Sequence, residues 1–152
     1  MRVIINEMRL DFPALSENEA FARMAVSGFM LPLNPTMEEL ADVKTSVSEA
    51  VTNAIIHGYR GGNGTVRLHA SYTDEGVLRV DVIDRGCGIA DIDHARQPFF
   101  TTDAGEERSG MGFTVMESFM DSVEVRSVVG HGTTVRLIKQ INVREDALPR
   151  RA

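Results

Sequence analysis

At 152 residues, with 43% hydrophobic and 25% charged residues, the chain has the composition of one soluble globular domain able to bury a core. A net charge of −6 disfavours direct nucleic-acid binding, which needs clustered positive charge, and no apolar run is long enough to span a bilayer. The single cysteine, Cys87, excludes an intrachain disulfide, and no signal-peptide pattern opens the chain, so a cytoplasmic protein is expected.

Residues 3 to 12 alternate, with Met8, Leu10 and Phe12 on one face, and predict a strand. Ser16 and Glu19 have the spacing of a capping box for a helix whose apolar face is Phe21, Met24, Ala25 and Phe29, stopping near Pro32. A second box, Thr36 and Glu39, opens a long helix with Leu40, Val43, Val47, Val51, Ala54 and Ile55 facing inward and Gly58 at its end. Glu49 and Asn53 share one face of that helix, one turn apart. They set a potential general base beside a neutral oxygen ligand for a metal, the minimal equipment for nucleotide chemistry.

A glycine-rich turn at 61–64 leads to strands over 65–72 and 77–83, joined at Asp74-Glu75-Gly76. A short helix is expected over Asp91 to Gln97, then an aperiodic lid from Phe99 to Ser109. Phe113, Val115, Met116 and Phe119 form the inner stripe of a third main helix, and strands over 122–129 and 133–141 close the fold. The eight methionines read as gap-filling core residues. The expected architecture is an α/β two-layer sandwich, with helices on one face of a mixed, largely antiparallel sheet. One domain is expected over 1–141, with a flexible tail over 142–152.

Three glycine-rich segments follow the Glu49–Asn53 helix: Asp84-Arg85-Gly86-Cys87-Gly88, Gly110-Met111-Gly112-Phe113 and Gly130-His131-Gly132-Thr133-Thr134. In this order, behind Ser48 to Gly58, they resemble the GHKL family, the Bergerat-type ATP-binding domains of gyrase-type topoisomerases, heat-shock chaperones, histidine kinases and mismatch-repair ATPases. The module is expected to stand alone here, with no transducer domain after it and no phospho-accepting histidine helix before it. Segments outside the boxes narrow the resemblance: Ser16 to Arg23, Pro35-Thr36-Met37, Ala95 to Pro98, Phe100-Thr101-Thr102 and Glu107-Arg108-Ser109 are similar to the sporulation anti-sigma factors of spore-forming bacteria. Arg85 stands where that pattern has an acidic residue, and Ala104-Gly105 where it has Lys-Pro.

The resemblance implies ATP and Mg²⁺ as cofactors. Asp84 would accept a hydrogen bond from the adenine amino group, Gly86 and Gly88 would let the backbone approach the ring, and Thr133 would complete adenine recognition. The phosphates would lie on the helix opened by Ser109, Gly110, Met111 and Gly112, with Thr101 from the lid also contacting nucleotide. Asn53 would ligate Mg²⁺, Glu49 would act as general base, and Arg108 would fold onto the γ-phosphate. Arg23 would lie on a partner-binding surface. The implied function is a homodimer that holds a sigma factor of the sigma F type when ATP is bound and phosphorylates an anti-anti-sigma protein on serine, without direct nucleic-acid or membrane contact. A general-stress anti-sigma kinase and an ATP-gated binding module without kinase activity stay open as alternatives.

Overall fold

In a computed structural model, which describes residues 3–97 and 112–142, five strands form one sheet in the order β1-β2-β3-β5-β4. They are β1 (Ile4–Pro13), β2 (Thr65–Thr73), β3 (Val77–Asp84), β4 (Ser122–Val128) and β5 (Gly132–Gln140). All four pairings are antiparallel. Period-two alternation sets the two faces. The register aligns Leu10, Leu68, Val82, Val135 and Val125 in one apolar row across the sheet, and Met8, Ala70, Val80, Leu137 and Val123 in the next.

Onto these rows pack α1 (Asn18–Met30), α2 (Met37–Asn53) and α4 (Gly112–Phe119), with α2 between the other two. The core lies between the layers. A short helix, α3 (Ile92–Ala95), is capped by Asp91, whose side chain accepts from the His94 N–H. None of the helices in the described residues is long and apolar enough to cross a membrane.

The Thr36–Glu39 capping box forms reciprocally, at 3.0 and 2.8 Å, and gives α2 a fixed start. The Ser16–Glu19 box does not form. Ser16 lies in a turn, α1 starts at Asn18 with no side-chain cap, and Glu19 pairs with Arg23 instead. The apolar phase of α1 also differs from expectation. Ala22, Val26 and Met30 face the core, whereas Phe21 and Met24 are 53% and 61% exposed. The small Ala22 and Val26 let α1 approach α2 closely, and larger side chains there would hold the layers apart.

A similar correction applies to α4, where Phe113 and Met116 are buried but Phe119 is exposed and Met120 fills the core in its place. Met30, Met116 and Met120 are core residues, but Met24 and Met37 stand in solvent. The expected lid and all of the tail beyond Asn142 lie outside the described residues.

The end of α2 is not a simple glycine cap. Its last turn widens into a π-helical turn, Ala54–Gly58, and the left-handed residues come afterwards, at Arg60 and Gly61. π turns of this kind concentrate at functional sites, because the extra residue re-aims the backbone.

Candidate functional site

Where the apolar rows of the sheet end, the next inward-facing positions are Asp84, Thr133 and Ser127, paired across β3, β5 and β4. Asp84 follows Leu78, Val80 and Val82 in phase, so strand parity alone turns its carboxylate toward the helix layer. A cavity of about 580 Å³ opens above it. Its walls are α2 with its π turn, the loop after β3, α3, the start of α4 and the β4–β5 hairpin.

Asp84 is 6% exposed, and its Oδ1 accepts the Gly86 N–H at 2.9 Å. Burial pushes its carboxyl above the usual aspartate range, although hydrogen bonds from the Gly86 and Thr133 backbone N–H groups pull the other way. A buried carboxylate with acceptor capacity to spare suits an exocyclic amino group.

The loop after β3 is pinned from several sides. The Arg85 N–H donates to the Tyr59 hydroxyl at 2.8 Å, and that hydroxyl donates to the Thr65 carbonyl at 2.6 Å. The Ile89 N–H donates to Ser127 Oγ at 2.7 Å, and Ser127 lies 2.7 Å from the Thr133 hydroxyl. Thr133 therefore meets Asp84 through its backbone and Ser127 through its side chain. Cys87, a free thiol, lines the cavity with its Sγ 3.2 Å from the His57 carbonyl.

Glu49 and Asn53 also line the cavity. A methyl group on Gly112 would lie 3.3 Å from Glu49 Oε2, 3.3 Å from Asn53 Oδ1 and 3.1 Å from Asn53 Nδ2. Both side chains thus converge on Gly112, the first described residue of α4. No group of three or more His, Cys, Asp or Glu side chains that could hold a metal occurs among the described residues. Asn53 presents one neutral side-chain oxygen here, a donor that would suit Mg²⁺, which keeps its waters and takes most other ligands from nucleotide phosphates.

Six of the expected site residues, Glu49, Asn53, Asp84, Gly88, Gly112 and Thr133, line this one cavity, and Gly86 braces Asp84 from behind. Thr101, Arg108, Ser109, Gly110 and Met111 lie outside the described residues. Arg23 does not line the cavity, and its side chain is 36% exposed. It is held by Glu19 at 3.1 Å and donates to Ser48 Oγ at 3.2 Å. Ser127 and Tyr59 brace the loop after β3, and Gly58, expected only as the end of the helix, lines the cavity. Ser127 was detectable, because it continues the inward phase of Val123 and Val125.

Residues 12–139 match the model of the histidine kinase-like ATPase domain. Among proteins similar to this chain is an anti-sigma F factor of Geobacillus sp. (strain WCH70), 55% identical over 136 residues, covering 90% of this chain and 93% of the relative. An anti-sigma F factor of Bacillus thuringiensis (strain Al Hakam) is 54% identical over 137 residues, covering 90% and 94%. Among solved structures, the RsbU and RsbW domains of a Mycobacterium tuberculosis protein align with a TM-score of 0.64 at 21% identity. That alignment covers 90% of this chain and 32% of the mycobacterial one, and shows a shared fold. The histidine kinase domain of a blue-light activated kinase from Erythrobacter litoralis aligns with a TM-score of 0.52 at 26% identity, covering 68% and 45%.

Proposed function

This chain belongs to the anti-sigma F factors, a family built on the histidine kinase-like ATPase domain, and on that premise we propose that it is an ATP-dependent serine kinase that holds a sigma factor of the sigma F type and phosphorylates the anti-anti-sigma protein opposing it. The observation that carries the reading is one cavity with a buried acceptor, Asp84, at its floor and the Glu49–Asn53 pair facing the start of α4.

In this reading Asp84 accepts a hydrogen bond from the adenine amino group, and the apolar floor of Val82 and Val135 lies under the ring. The triphosphate would run toward Gly112. Asn53 offers one oxygen to Mg²⁺. Held there, such a cation would supply neutralisation of phosphate charge. Glu49 orients the serine hydroxyl of the partner and takes its proton as that oxygen bonds to the γ-phosphorus and ADP leaves. Arg108 is assigned to the γ-phosphate from its place in the sequence, just before the phosphate-binding glycines.

Arg23, flanked by the exposed Phe21 and Met24, is assigned to the partner surface. A homodimer in the cytoplasm belongs to the same proposal. Among the described residues β1 is an outer strand of the sheet, and the exposed Val3, Ile4 and Ile5 at its start support the dimer.

The test compares Glu49→Gln with Asn53→Ala for Mg·ATP affinity, sigma retention and phosphate transfer. Glu49→Gln should keep nucleotide and sigma binding while transfer falls by about a hundredfold to ten-thousandfold, the usual contribution of a general base. Asn53→Ala should lose Mg·ATP first and sigma retention with it. Transfer at the wild-type rate by Glu49→Gln would reduce the protein to an ATP-gated clamp.

A further inference from the structure

Gly58 closes the π turn of α2, yet its backbone gives no reason for a glycine. Its φ lies outside the left-handed region, whereas Gly61, Gly76, Gly88, Gly130 and Gly132 all occupy it. An alanine would adopt the same conformation and favour the helix. The reason for the glycine lies across the cavity floor. A Cβ at Gly58 would stand 2.8 Å from Asp84 Cγ, 2.8 Å from Oδ1 and 2.9 Å from Oδ2. These nearly equal distances to all three atoms place the missing methyl group over the face of the carboxylate rather than at its edge.

The carboxylate is held separately by the Gly86 N–H, which donates to its Oδ1 at 2.9 Å. The position of Gly58 is itself fixed. Its carbonyl accepts the Cys87 N–H at 2.9 Å, and Gly86 packs so tightly on that carbonyl that a side chain at 86 would overlap it. The widened last turn of α2 is what carries the Gly58 carbonyl onto the loop after β3.

We infer that Gly58 is the positioning residue for base selection: a wall without a side chain, against which the Asp84 carboxylate lies flat, so that its free lone pairs meet a 6-amino group and refuse a 6-oxo group. The inference rests on the adenine role proposed for Asp84. Gly58 touches Asp84, which in turn touches the base. A methyl group at 58 needs ordinary contact distance, so the carboxylate must retreat or rotate by several tenths of an ångström. It is the end of a flexible side chain and can do so while the fold stays intact.

The experiment measures ADP and IDP affinity by calorimetry on the full chain, beside thermal melting. IDP has a 6-oxo group in place of the amino group. Wild type should prefer ADP by at least about tenfold, as expected for a site built around one donor on its ligand. Gly58→Ala should lose about tenfold or more in ADP affinity, change IDP affinity by no more than about twofold, and melt no lower than wild type. Equal losses for ADP and IDP would make Gly58 a general packing residue and overturn the inference. So would a preference kept intact in Gly58→Ala. A wild type that binds both nucleotides alike would overturn the adenine role of Asp84 as well, which separates the two failures. Gly58→Ala combined with Asp84→Ser guards against a folding defect, since the shorter side chain leaves room for the methyl group. The pair should melt with Asp84→Ser alone, and a further drop would place the clash on backbone and refute the wall.

Discussion

Removing Arg136 should destabilise the protein without touching nucleotide binding. On the sheet face opposite the helices, Arg9, His69, Asp81, Arg136 and Glu124 align in one cross-strand row. Arg136 grips Asp81 with two bonds, Nε to Oδ1 at 2.9 Å and an Nη to Oδ2 at 3.2 Å. The Asp81 side chain keeps 7% of its exposure and that of Arg136 29%. Deleting one partner of a fully buried pair costs about 3–5 kcal/mol, whereas an exposed pair contributes about 0–1 kcal/mol.

Arg136→Ala strands a nearly buried carboxylate but opens a path for water from the guanidinium side, which places the loss between these limits, at about 2 kcal/mol. For a domain of this size that lowers Tm by about 4–8 °C. The assay is thermal and urea denaturation followed by circular dichroism. Replacing both residues by threonine removes the stranded charge and keeps strand-favouring side chains, so the double variant should recover most of the loss. ADP affinity should stay unchanged in each, because both side chains point away from the cavity. A loss below about 0.5 kcal/mol for Arg136→Ala, the level of a solvated surface pair, would refute the reasoning. So would a double variant no more stable than the single one.

Ser46 is fully buried on α2, with no hydrogen-bond partner for its hydroxyl among the described residues. Ser46→Ala should therefore stabilise by about 1–2 kcal/mol in a urea titration. Because burial raises the Asp84 carboxyl, the folded state holds that proton more tightly than the unfolded chain. Its contribution to stability is thus greatest below the ordinary aspartate range and falls as pH rises through the elevated value. Asp84→Asn should remove that decline, so melting curves taken from the ordinary aspartate range upward should show the variant gaining on wild type as pH rises. Arg23→Glu places a like charge beside Glu19 and should weaken sigma and anti-anti-sigma binding together while ADP affinity holds; normal partner titrations would remove Arg23 from that surface.

Local chemistry made much of the protein legible from sequence. Thr36 and Glu39 formed their box from four consecutive residues, whereas Ser16 and Glu19 at the same spacing did not, so spacing offers such a box without securing it. Alternation placed Leu78, Val80, Val82 and Asp84 on one face of β3, since parity is intrinsic to a strand. Helix spacing likewise brought Glu49 and Asn53 to one wall.

What local pattern left undecided was which of two neighbouring stripes faces inward. Phe21 and Met24 are at least as apolar as Ala22 and Val26, and only the closeness of α2 selects the smaller pair for the interior of α1. Phe119 and Met120 compete in the same way at the end of α4, and packing against the sheet decides for Met120. The cavity itself depends on register, which sets Ser127, Thr133 and Asp84 side by side from three strands. Gly58 shows the limit most plainly. Its sequence context reads as a helix end, but its lack of a side chain answers to Asp84, a residue on another element, and only the folded chain puts the two in contact.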